Sequence, residues 1–179
     1  MDRRAFVGLT LVLGGCAMTA TGQGQPPHSL PAEDVEAINA VIAAYERTWN
    51  ASDLTGMGAL YTPDIHWVNV KGMHWRGFDE VDRAHRVFFD LMFKGVPCTL
   101  EGVDSLTAIA PGVAAAVVVW RMGAFRTPDG HLAPAARNRM TLIFAKTANG
   151  WKIAHGHNIE IDEQAAPNDP IRGKRTQSS

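Results

Sequence analysis

His85 is the residue of this sequence best placed to move a proton near neutral pH. It falls on a stripe, Val81, His85, Phe88 and Met92, whose spacing of four, three and four puts it on the inward face of a helix. There an imidazole either satisfies itself on a backbone carbonyl or reaches a cavity and works as an acid or base, with an ionisation expected at about pH 6 to 7. Trp67 and Asn69 share one face of an alternating strand, with Asp64 and His66 on the other, so His66 is the weaker candidate. Trp49, Trp67, Trp75 and Trp120, beside Trp151, are plentiful for a chain of 179 residues. They either pack a core or wall a ligand cavity.

Thiol and metal chemistry are less well supported. Cys98 has no histidine or asparagine near it in sequence to activate it, and reads as a small buried apolar residue. His155-x-His157 sets two imidazoles on one side of a strand. No third ligand is fixed by spacing, so no metal site is assigned. Dinucleotide fingerprints, flavin motifs and paired cysteines are missing from the sequence, and no cofactor is implied.

The elements that must position these residues follow from periodicity. Val35, Ile38, Ile42, Tyr45 and Trp49 line one face of a long first helix, with Glu33, Asp34 and Glu36 in its first turn. Asn50 is suited to a left-handed helix end, Ser52 and Asp53 are N-cap types for a short second helix, and Pro63 stops it. A strand over residues 65–70, a turn at Lys71-Gly72-Met73 and a third helix after Gly77 come next. The rest is strand-like: residues 114–122, a Pro/Gly/Ala-rich loop over 127–136, and strands 139–146 and 151–161. Asn149-Gly150 predicts a two-residue hairpin turn, pairing Thr141 with Asn158 and Arg139 with Glu160. The opposite face would carry Leu142, Phe144, Ile153, His155 and His157, apolar enough to suggest a homodimer through it. Helices followed by strands give an α+β class.

Tyr45, Trp49 to Leu54, Tyr61 to Asp64, Gly72, Trp75-Arg76-Gly77, His85, Trp151-Lys152-Ile153 and His157-Asn158 together resemble the nuclear transport factor 2-like superfamily, in particular its SnoaL-like members and the SgcJ/EcaC group. The resemblance implies three N-terminal helices packed on a strongly curved antiparallel sheet, a cone with a pocket at its open end. It also implies dimerisation. In the isomerase members a helix tyrosine and a strand aspartate are catalytic, and the likeness sets Tyr45 and Asn69 at those positions. Tyr45 is then an acid or, as is more often so for a tyrosine on an apolar helical stripe, a core residue bonded to a carbonyl. Asn69 cannot act as a base, and losing a positioned general base forfeits about 10²- to 10⁴-fold in rate. Its amide would instead bind an oxygenated ligand. Arg139 and Asn158 would hold a carboxylate or carbonyl inside the cone, unless Arg139 pairs with Glu160 on the surface. The implied function is a cofactor-independent enzyme of isomerase, cyclase or hydratase type, or an oxidoreductase as the SgcJ/EcaC group is often labelled, acting on an apolar oxygenated compound. The alternative is a binding or dimerising protein without catalysis.

The termini read as appendages. Arg3-Arg4 and the apolar run from Ala5 to Leu13 form a signal peptide over residues 1–15, too short for the roughly 20 residues of a spanning helix. Leu13-Gly14-Gly15-Cys16 resembles a lipobox, which makes Cys16 the lipidation site and residues 16–31 a flexible spacer. The alternative is an ordinary cleaved signal with an incidental cysteine. An exported, membrane-anchored periplasmic or cell-surface lipoprotein is expected, with one domain over 32–162 and a disordered tail over 163–179. Seventeen basic against 18 acidic side chains give no electrostatic case for nucleic acid.

Overall fold

The computed structural model describes residues 29–172. The expected signal peptide, Cys16, most of the spacer and the end of the tail lie outside the described residues.

Helix α1 (Ala32–Asn50) buries Ile38, Ile42, Tyr45 and Trp49, the stripe its spacing predicts. Asp34 is buried too. Its Oδ1 accepts hydrogen bonds from Lys146 Nζ at 2.7 Å and Trp151 Nε1 at 2.8 Å, tying the first turn to two strands. The left-handed residue after α1 is Ser52, at φ 54°, and not Asn50. Asn50 stays helical because its amide is used elsewhere: Nδ2 donates to Cys98 O at 2.7 Å and Oδ1 accepts from Cys98 N at 2.9 Å. Asp53 caps α2 (Leu54–Gly58) through Gly56 N, as its residue type predicts.

Strands β1 (Tyr61–Val68) and β2 (His74–Arg76) precede α3 (Gly77–Phe88), which runs into a π-helical turn, Phe89–Phe93. Strands β3 (Cys98–Ala110) and β4 (Val113–Met122) follow, then a small hairpin of β5 (Phe125–Arg126) and β6 (Leu132–Ala133), the second strand within the expected loop. The long strands β7 (Ala136–Thr147) and β8 (Gly150–Glu160) come last. The six-stranded sheet has the order β2-β1-β8-β7-β4-β3. All its ladders are antiparallel except β1 with β8, so the sheet is mixed rather than purely antiparallel. Three register breaks in the β3/β4 ladder and one in β7/β8 are places where a sheet bends. The core forms between α1 and the inward face, around Trp120, Phe144, Ile153 and Leu142.

The hairpin departs from its predicted register. Thr147 pairs with Gly150, so Ala148 and Asn149 form the turn and Gly150 takes φ 90° after it. Further along, Phe144 pairs with Ile153 but Ile143 with His155, which leaves Ala154 as an extra residue. That bulge changes which residues of β8 face inward. Trp151 and Ile153 point to the core before it, and Gly156 and Asn158 after it. His155 and His157 are therefore outward, whereas Leu142, Phe144 and Ile153 are fully buried. The apolar outer face expected to carry a dimer does not exist in that form. Part of the expected tail is a short 3-10 turn, Ala166–Asn168, preceded by an ion pair of Glu163 with Arg137.

Candidate functional site

The inward face of the sheet and α3 enclose a cavity of about 500 Å³ that opens under the β5/β6 hairpin. Its size suits one small molecule. Aromatic rings make most of the wall. Tyr45 stacks on Trp67 at 6.0 Å and 17° and tilts against Trp120 at 5.5 Å. Trp49 meets Phe89 edge-on at 4.6 Å, with its Nε1 donating to Val96 O. Trp75 closes the wall beside Phe88. A broader depression beside Gly58, Phe78 and Lys152 is an open surface shelf without such walls.

His85 sits within this aromatic lining. Its ring stands edge-on to Trp67 at 5.1 Å and 82°, with Tyr61 and Trp75 each 6.1 Å away. Nδ1 is 2.8 Å from Val81 O. A carbonyl only accepts, so the neutral ring carries its proton on Nδ1 and its lone pair on Nε2, the nitrogen left to the cavity. Burial, opposed by the Val81 hydrogen bond and the Asp82 carboxylate, holds the imidazole below its ordinary pKa. The ionisation expected at pH 6 to 7 is thereby moved lower, because the charged ring would sit among aromatic faces. Tyr45 also faces the cavity. Burial first, then the Tyr61 phenol and Cys98 thiol, pushes its hydroxyl well above the usual value, so it stays a proton donor.

Four buried side-chain atoms have no hydrogen-bond partner among the described residues: Tyr61 OH, Thr62 Oγ1, Trp120 Nε1 and Asn158 Oδ1. Trp120 and Asn158 belong to the cavity wall, with Nε1 and Oδ1 themselves buried, so a ligand pairs with either atom only where the side chain turns toward it. An unsatisfied buried group costs about 1–3 kcal/mol. A ligand carrying an acceptor and a donor would recover part of that.

Two expectations are corrected. Arg139 is not in the cone: it lies on the outward face, where its Nε donates to Asp104 at 3.0 Å. The neighbour that turns inward is Asn138, buried in the cavity wall and paired with both Trp120 and Glu160 in register. Asn69 reaches the rim, but its Oδ1 accepts from Lys71 N at 3.0 Å and Met73 N at 2.9 Å. It organises the β1/β2 turn instead of presenting a carbonyl acceptor to a ligand.

Asn138, Glu160 and His131 of the mouth were not among the sequence candidates. Only a correct β7/β8 register would have found the first two; His131 lies in a loop with no period. Cys98 borders the cavity with its thiol pushed up to about 12, by burial first and Glu46 second, which keeps it out of nucleophilic chemistry.

Residues 38–158 match the family model of the SnoaL-like domain. Among solved structures, an uncharacterized protein with a cystatin-like fold from Caulobacter vibrioides is 40% identical, covering 78% of this chain and 97% of its own, with a TM-score of 0.74. A ketosteroid isomerase-like protein from Erwinia carotovora atroseptica is 20% identical over 74% of this chain and 99% of its own, at a TM-score of 0.64. A candidate dehydratase from the NTF2-like family of Streptomyces avermitilis is 18% identical, covering 74% and 99%, at 0.61. The last two similarities establish the fold alone. No curated protein matches the sequence.

Proposed function

The chain belongs to the SnoaL-like domain family, and from that membership we propose that it binds a small, largely apolar, oxygen-bearing molecule and acts on it without a cofactor, through His85 as general base. One observation carries this reading. The hydrogen bond from His85 Nδ1 to Val81 O fixes the ring and leaves the Nε2 lone pair to an aromatic cavity. A base so placed removes a proton from carbon or hydroxyl, as an isomerisation, cyclisation or dehydration requires. The Tyr45 hydroxyl, kept protonated by burial, supplies a donor to the developing oxyanion.

A second reading has its own support. The position where isomerases keep a carboxylate is Asn69, whose Oδ1 is occupied by the turn, which favours a receptacle over a catalyst. The two separate in one experiment. Apolar ketones and phenols are titrated against the protein by tryptophan fluorescence, and each bound compound is then recovered and analysed by mass spectrometry and NMR. Conversion that disappears in His85→Gln supports the enzyme, whereas unchanged recovery of every bound compound supports the receptacle. Failure of every apolar compound to bind removes both.

Export and anchoring through a lipidated Cys16 complete the proposal, resting on the short apolar run that ends in Leu13-Gly14-Gly15-Cys16. A homodimer would use the outward face as the register leaves it, where Val117, Thr141 and Ile143 are half-buried. A sedimentation measurement at about 10 µM, near −7 kcal/mol in association free energy, decides it.

A further inference from the structure

Four of the seven histidines gather outside the cavity, on one patch of the outward sheet face. Register puts them there. His66 pairs with His155 across the parallel β1/β8 ladder, and Val68 stands between His157 on one side and His74 on the other. Paired residues share a face. Trp67 and Trp75, on the alternate positions, point inward, so the patch has no part in the cavity. His66, His74 and His157 are exposed and His155 is half-buried.

His66 Nδ1 and His74 Nε2 are 3.1 Å apart. Two nitrogens bound to one tetrahedral zinc at about 2.0–2.1 Å stand roughly 3.3 Å apart, and two at right angles around the same centre roughly 2.9 Å. The observed spacing lies between these. At that distance one ring nitrogen faces the other, and a metal ion would take the place of a bridging hydrogen. The His155 ring centroid is 6.5 Å from that of His66. Arg76 pairs with His66 in register, and Asp64 lies two residues from His66 on the same face. Among the described residues no three ligating side chains are already drawn together, so a third must come by rotation of a ring.

We infer that His66 and His74 form a two-nitrogen site for a borderline divalent transition metal such as zinc(II), completed by rotation of the His155 ring and by water. Imidazole nitrogens at this spacing suit zinc, nickel and copper and do not suit the oxygen-seeking calcium or magnesium. The site is independent of the cavity and of any reaction there.

The test uses untagged, chelator-treated protein at about pH 7.5, with zinc chloride as probe, followed by calorimetry and by nitrogen NMR of the histidine rings. One equivalent of zinc should bind, with the ring nitrogens of His66 and His74 shifting together. His66→Gln, His74→Gln and His155→Gln should each weaken binding at least tenfold, as the loss of one imidazole ligand from a small set does. Magnesium chloride at the same concentration should give no shift. The proposal is overturned if zinc binds more weakly than about 1 mM, or if the double variant His66→Gln/His74→Gln, or His155→Gln, binds as the wild type does. Because these side chains are outward, circular dichroism of each variant should match the wild type.

Discussion

The indole of Trp67 lies directly on the backbone of Gly156, its register partner across the parallel β1/β8 ladder. A Cβ placed on Gly156 would fall 2.5 Å from the indole ring. The bulge at Ala154 is what turns this glycine inward, and the missing side chain is the space in which Trp67 stacks on Tyr45 and meets His85. Gly156→Ala should therefore cost about 1–3 kcal/mol by overpacking and should also displace the ring that positions His85. Chemical denaturation measures the first effect. Trp67 fluorescence and the His85 ring shifts report the second, and an unchanged His85 environment would show that the contact is not structural.

His85 should titrate below about 6.5, the ordinary histidine value, because its charged form is poorly solvated among aromatic rings. A lowered folded value means that the buried neutral ring favours folding at high pH and that this contribution falls away as pH drops below the unfolded value. If Nε2 is the catalytic base, activity rises through the lowered ionisation and is level across neutrality. NMR titration of the ring, compared with His85→Gln for assignment, gives the midpoint; a value above 6.5 would remove the desolvation argument.

Asn158 Oδ1 and Trp120 Nε1 are buried in the cavity wall without a protein partner among the described residues, and a small turn of either side chain would bring its acceptor or donor to a ligand. Asn158→Ala is expected to weaken binding of a hydroxyl-bearing ligand by roughly tenfold, equivalent to about 1.4 kcal/mol. Trp120→Phe should weaken a carbonyl ligand by a similar factor, and binding of a pure hydrocarbon of the same size should respond to neither loss. Fluorescence titration of matched ligand pairs makes the comparison.

Asp34 joins α1 to β7 and β8. Hydrogen bonds from Lys146, then Trp151, hold its carboxyl below the usual carboxylate range, against some desolvation. Since the folded value is depressed, the stabilisation is fully present above the unfolded value of about 3.9 and is lost as pH falls through the folded one. Asp34→Asn should lower the urea midpoint at pH 7, and the gap to the wild type should close as the pH is taken below about 4. A gap that persists at low pH would assign the effect to packing.

The mature N-terminus should be Cys16 carrying lipid, leaving 164 of the 179 residues after loss of residues 1–15. A single acyl chain binds membranes with only about 10⁴ M⁻¹, so more than one chain is expected on this residue. Mass spectrometry of the N-terminal peptide from membrane fractions decides between this and an unmodified cysteine.

Periodicity alone determined much of this molecule. The stripe from Ile38 to Trp49 and the His85 stripe are local patterns of one helix each, and a helix buries whichever face its own spacing makes apolar. Tyr45, Trp49 and His85, on those stripes, turn inward and line the cavity together with Trp67, Trp75 and Trp120 from the sheet. What tertiary structure decided was every property that depends on pairing between distant strands. A strand has a period of two, so one added residue reverses its faces; the bulge at Ala154 has no mark in the sequence, yet it moves Asn158 in beside Met140 and sends His155 and His157 outward. The hairpin turn fell one residue from the Asn-Gly expectation because Gly150 takes the left-handed place after the turn instead of a central one. Arg139 and Asn138 exchanged roles for a related reason. The acidic partner Asp104 comes from β3, some 35 residues away in sequence, and only the folded sheet brings it to the arginine. The four-histidine patch is the extreme case: its members come from three strands, and the parallel β1/β8 ladder that joins them is a long-range pairing to which no local pattern points.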